Sequence, residues 1–169
     1  GKTALAVWAM QESYKRKDFD FFISVSAKDR ELTSESIRSI PQTLSTYEEL
    51  LNQILSVLGF SEAIEEPVSS REELTRGLLS DTKSLLLIDN LETVEDERII
   101  EFLERLPKPV KAIVTSRTNR VQRAAFPIQI GPLSVTEATG YWDMVCRSKG
   151  RDSLLKATPA EKVRIVSSA

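Results

Sequence analysis

The sequence has no histidine and a single cysteine, Cys146. Without histidine there is no Ser-His-Asp triad, no Cys-His pair and no imidazole metal site. One cysteine forms no internal disulfide, so a reducing, cytoplasmic setting is expected. Long apolar runs are also missing: residues 85–88 (LLLI) are far short of a bilayer span. No basic stretch followed by an apolar one marks a secretory signal. The chain starts at Gly1 without methionine, and this N-terminus is expected to be a cut. Charge of one sign is lacking too. The 23 basic and 25 acidic side chains leave no electrostatic footprint for nucleic acid or an anionic membrane. What remains for chemistry is Lys, Arg, Asp, Glu and hydroxyls, the inventory of phosphoryl transfer with a magnesium ion.

At 169 residues the chain has room for one α/β domain and part of a second element. Residues 2–17 read as a helix with Ala4, Leu5, Val7, Trp8 and Ala9 crowding one side. Residues 19–26 (FDFFISVS) read as a strand buried on both faces. Residues 27–43 read as irregular, with Pro41 stopping any helix. Four hydroxyl–acid capping boxes then mark helix starts, at Ser45/Glu48, Ser70/Glu73, Ser134/Glu137 and Thr158/Glu161. In the last of these, Pro159 takes the first helical position. The third is expected to lead a helix with Tyr141, Trp142 and Val145 inward. Between the helices lie strands at residues 84–88 and 110–115 and a short last strand at 127–130, with a helix over 95–106. Buried strands alternating with capped helices predict βαβ units and a parallel sheet. Ligands of such sheets sit at the carboxyl ends of the strands, so the polar groups just after each strand are the candidates.

Four segments meet that condition. Gly1-Lys2-Thr3 opens a helix and matches the last three residues of the Walker A loop. In that loop, backbone N–H groups and the helix N-terminus hold phosphates, the lysine neutralises them and the hydroxyl binds magnesium. The run Leu85-Leu86-Leu87-Ile88-Asp89 is a Walker B pattern, a buried strand that presents an acid to magnesium at its end. Thr115-Ser116-Arg117 ends the next strand, where an arginine can report a γ-phosphate. Gly131-Pro132 turns the last strand into a capped helix, and the Pro132 ring is suited to lie on an adenine. Each segment alone has an ordinary structural reading: a helix start, a strand end, a surface arginine, a turn. Their common order and placement carry the functional one.

Together GKT, SLLLIDNLE, AIVTSR and IGPLSVTEA resemble the NB-ARC/STAND class of P-loop signal-transduction ATPases. FDFFISVSAKDREL is similar to the segment after that family's first helix, and the resemblance extends to about Ala138. The Asp-Asn-Leu-Glu variant is similar to bacterial multidomain members, STAND-type transcription regulators among them. The resemblance implies an α/β three-layer P-loop NTPase domain over residues 1–132, its first strand missing. The start of a small helical lid domain would follow over 133–169. It implies a switch: ADP holds a closed form, exchange for ATP permits self-association, and slow hydrolysis resets it. Carried over, Gly1 and Lys2 would contact phosphate, Thr3 and Asp89 would hold magnesium, Arg117 would sense the γ-phosphate, and Pro132 would lie against adenine. Sensor and effector domains are expected as partners in the full-length chain, with no direct nucleic-acid or membrane contact from this segment.

Two departures from the family pattern bear on mechanism. The strand and most of the loop before Gly1 are absent, so a gap in the sheet between the 112–115 and 127–130 strands and poor nucleotide binding by this piece are expected. Asn90 follows Asp89 where many members carry a second acid, and an amide positions water but accepts no proton from it. Glu92 is the nearest carboxylate for a general base or is a solvated loop acid. Two other readings stay open: an AAA+ type remodelling ATPase, for which Arg147, Arg151 or Arg164 would supply a second arginine, and a scaffold with structural ADP.

Overall fold

A computed structural model describes residues 1–27, 30–32, 37–39, 44–121, 123 and 125–167, with backbone alone at 30–32, 37–39 and 167. Two compact units result, Gly1–Ile128 and Gln129–Ala169. In chain order the first contains α1 (Lys2–Arg16), β1 (Phe21–Ser26), β2 (Arg30–Leu32), β3 (Ile37–Ser39), α2 (Tyr47–Val57), α3 (Val68–Asp81), β4 (Ser84–Asp89), α4 (Glu97–Glu104) and β5 (Lys111–Val114). Short 3-10 turns lie at Ser61–Glu65 and Leu91–Thr93. The second unit holds three helices, α5 (Val135–Ser148), α6 (Asp152–Leu155) and α7 (Pro159–Ser167). No helix among the described residues is long and apolar enough to cross a membrane.

The first unit is α/β. Its three-stranded parallel sheet has the order β1-β4-β5, with Phe21 paired to Ser84 and Leu85 to Lys111. Every residue of β4 is buried, as a central strand covered on both faces requires. Ile23, Val25, Leu86 and Ile88 share one face and pack into a core with Leu50, Leu51 and Ile54 of α2, Leu79 of α3, and Ile99, Phe102 and Leu103 of α4. Helix α1 lies against the other face, where the Tyr14 ring meets Phe22 edge-on at 5.3 Å. Of α1, only Ala6 is buried, and Leu5, Val7 and Trp8 are exposed, so the apolar side read from the sequence is left largely uncovered.

Several expectations are corrected. β1 is not buried on both faces: as an edge strand it exposes Ser24. The stretch 27–43 is not wholly irregular, because β2 and β3 pair antiparallel; Pro41 lies outside the described residues. The first capping box is Thr46/Glu49 and not Ser45/Glu48. The Ser70 box does not form, since α3 starts two residues earlier behind Pro67, whose fixed φ suits a helix entry. Residues 127–130 form no strand: the segment has no ladder partner among the described residues, and Ile128 and Ile130 are exposed. In α5, Tyr141 points out and Cys146 is the buried residue. The Ser134/Glu137 and Thr158/Glu161 boxes form as expected.

Asp96 joins two helices. As N-cap of α4 it accepts from Arg98 N at 3.1 Å, and its other oxygen accepts from Tyr47 N, the first residue of α2, at 2.8 Å. The Arg98 guanidinium grips Asp96 and, through 2.8 and 3.0 Å bonds, Glu48. Hydrogen bonds from Arg98 foremost, opposed by burial and helped by the two backbone N–H groups, push the Asp96 carboxyl down to about 2 from 3.8. A depressed carboxyl stabilises the fold above its unfolded value, and that stability is lost as pH falls from about 4 through 2. We expect the loss to be about 1 kcal/mol after screening by solvent. Urea titrations at pH 6 and pH 2.5 should show a larger loss in the native chain than in Asp96→Asn, the difference being the Asp96 contribution.

Candidate functional site

The site forms where β4 and β5 end and α1 begins. Asp89, the last residue of β4, is buried. Asn90 then adopts a left-handed backbone with φ 68°, a conformation that Asn tolerates better than most side chains, and throws the chain into the Leu91–Thr93 turn. β5 delivers Thr115 beside it. Thr115 N donates to Ile88 O at 2.9 Å, and Leu91 N donates to Thr115 O at 3.0 Å. The Thr115 hydroxyl donates to Asp89 Oδ1 at 2.5 Å and accepts from Asn90 N at 3.0 Å. The Thr3 hydroxyl, in the first turn of α1, donates to the same Asp89 Oδ1 at 2.8 Å. A single carboxylate oxygen thus joins three chain segments. Ala27 N donates to Asp89 O at 3.0 Å and Thr93 Oγ1 to Ala27 O at 2.8 Å, which fixes the end of β1 to the same corner.

Gly1 is the N-cap of α1 and offers no side chain to its first-turn N–H groups. That turn carries no acid and exposes Lys2, so its positive end is uncompensated within the helix. Such an end suits an anion. Arg117 and Glu92 flank the corner: Arg117 Nε lies 3.3 Å from Glu92 Oε1, with the arginine side chain 80% exposed and the glutamate 14%. Glu92 Oε2 is buried without a hydrogen-bond partner.

The structure therefore brings Thr3 and Asp89 into contact, pairs Glu92 with Arg117, and keeps Gly1 and Lys2 on the turn that holds Thr3. Pro132 belongs to the second unit and is exposed there. Sequence reasoning passed over Thr115 as a site residue, although its place at a strand end was the available signal. It also missed Arg120, which donates to the carbonyl oxygens of Leu91 and Val94 and pairs with Glu97 at 2.5 Å, bracing the turn after Asp89. Nothing in the sequence marks that arginine, since two of its partners are backbone carbonyls and the third, Glu97, lies 23 positions away.

The described residues hold no cluster of three or more His, Cys, Asp or Glu side chains suited to a metal ion. A hydroxyl and one carboxylate in contact are nonetheless a fitting donor pair for magnesium, which keeps several waters and takes its remaining ligands from substrate phosphates.

Comparison with known proteins adds one partial likeness. No protein-family model matches the chain, and no solved structure does. Over 107 residues it is 31% identical to the transcription activator GutR of Bacillus subtilis (strain 168). The match covers 57% of this chain and 13% of that protein, so the chain corresponds to a small part of its relative's length.

Proposed function

We propose that this chain is the ATP/ADP-binding P-loop core of a STAND-type signalling switch, with a three-layer NTPase domain followed by the start of a helical lid. The observation that carries the reading is the 2.8 Å bond between Thr3 and Asp89, the two residues assigned to magnesium from separate sequence motifs. They stand 86 positions apart, and no local pattern demands that they meet. Lys2 and the uncapped turn of α1 bind the nucleotide's phosphates, Thr3 and Asp89 hold magnesium, and Arg117 answers to the γ-phosphate. Magnesium, when bound, neutralises phosphate oxygens and orients them. Thr115 keeps the Asp89 carboxylate in place and its backbone anchored. Pro132 is assigned to the adenine from its motif alone.

Hydrolysis is slow on this reading, because Asn90 offers no base and Glu92 is engaged by Arg117. Likeness to part of a transcription activator favours a signalling output over a remodelling motor. Asn90 also supports a second reading, a scaffold whose ADP is structural.

The test is the nucleotide content of the full-length protein and its exchange. About one ADP per chain that exchanges for ATP supports the switch; ADP that never exchanges supports the scaffold, and rapid steady turnover the motor. Arg117→Ala should leave ADP affinity within about twofold and weaken ATP by about tenfold, the scale of one charge-assisted hydrogen bond. Competition titrations with both nucleotides measure this. An Arg117→Ala protein that answers ATP as the native one does removes the sensor assignment.

A further inference from the structure

We propose that Glu92 is a positioning residue for Arg117, and that through it Glu92 sets the preference of the site for ATP over ADP. The inference rests on the nucleotide reading above and adds a role that the sequence motifs do not give. Arginine presents five N–H donors in a planar fork. Glu92 faces that fork from its side as an ion pair, with Nε 3.3 Å from Oε1. The two terminal nitrogens, with four of the five donors, stay available to an incoming anion. An arginine that is 80% exposed has many rotamers, and binding phosphate costs it that freedom. A fixed carboxylate at Nε removes part of the cost beforehand.

Glu92 is itself well fixed. It sits in the turn that begins at Asn90 and that Arg120 braces through the Leu91 and Val94 carbonyls. Its side chain is 14% exposed, and its Oε2 is buried with no hydrogen-bond partner. A carboxylate so shielded from water is an expensive way to hold a surface arginine unless the direction of that arginine matters. The same pairing argues against Glu92 as general base, since the oxygen nearest solvent already faces a cation.

The test uses the full-length protein with ADP and a non-hydrolysable ATP analogue, each with magnesium, on the native chain, Glu92→Gln, Arg117→Gln and the double variant. Glu92→Gln should leave the ADP Kd within about twofold and weaken the ATP analogue about three- to fivefold. Arg117→Gln should weaken the analogue at least as much, and adding Glu92→Gln to it should have no further effect. Analogue binding by Glu92→Gln as tight as native, or tighter, overturns the proposal, the latter making Glu92 a competitor for the arginine. So does a loss of kcat with both Kd values unchanged, which would make Glu92 the base. Should Glu92→Gln fail to fold, Arg117→Lys reads the pair from its exposed side. It keeps the charge but lacks the Nε that lies beside Glu92, so the analogue should weaken, and native affinity there would overturn the proposal. A native protein that binds neither nucleotide removes this inference and the nucleotide reading together. A native protein that binds both, with a Glu92→Gln variant of unchanged ATP-to-ADP ratio, removes this inference alone.

Discussion

Replacing Lys2 with alanine in the full-length protein is expected to lower its affinity for both ADP and ATP by about a hundredfold. The side chain is exposed on the first turn of α1, and that turn has neither a capping side chain nor an acid. Removing it therefore takes away an exposed positive charge that pairs with no carboxylate among the described residues. Phosphates common to both nucleotides lie in its reach on the proposed reading, so the loss does not discriminate between them. This separates Lys2 from Arg117, whose loss should be felt with ATP alone. Isothermal titration with ADP measures the effect, and an unchanged circular dichroism spectrum and melting curve would show that the fold is intact. A Lys2→Ala protein that binds ADP as tightly as the native one would remove the P-loop assignment of Gly1-Lys2-Thr3.

The second large effect is on stability. Phe102→Ala should destabilise the first unit by about 3–5 kcal/mol, the usual cost of an emptied aromatic site in a core. Phe102 is 1% exposed, lies 5.8 Å from the Tyr47 ring and carries the Arg76 guanidinium 5.5 Å above its centre. It thus joins α4 to the start of α2 and to α3. A domain of ordinary stability, about 5–15 kcal/mol, would lose a large share of it. Phe126→Ala is the matched control. That ring is 90% exposed, and its removal should stay within about 0.5 kcal/mol. Urea denaturation of the two variants decides the point, and equal effects would contradict the core described here.

What could be read in advance follows the reach of the forces involved. β4 was legible because its burial is written into one uninterrupted apolar run, and Asp89 because it ends that run. The capping boxes at Ser134 and Thr158 were legible because each box is closed within four residues. The box at α2 was displaced by one residue for a tertiary reason. Ser45 and Thr46 each have an acid three positions on, but Glu48 is drawn to Arg98, fifty positions away, and only Glu49 is left to close the box. Residues 127–130 alternate like a strand, yet alternation does not supply the neighbour that a ladder needs. At the site, Thr3, Asp89 and Arg117 were marked by motifs. The hydroxyl of Thr115 and the bracing by Arg120 arise from contacts between strand ends and turns, and no local pattern encodes those.

The corner around Asp89 also has a consequence for timing. Its two hydroxyl donors come from opposite ends of the unit, Thr3 86 positions before it and Thr115 26 after it. No short peptide contains the site, and its parallel pairings, such as Phe21 with Ser84, each require a long loop to close first. During synthesis α1 emerges before β4, so Thr3 has no acid to meet until β4 has followed, and the acid is not held until β5 has followed that. Thr3 is therefore made well before its partners, and a chain broken off before Thr115 would lack one of the two hydroxyls that hold the Asp89 carboxylate.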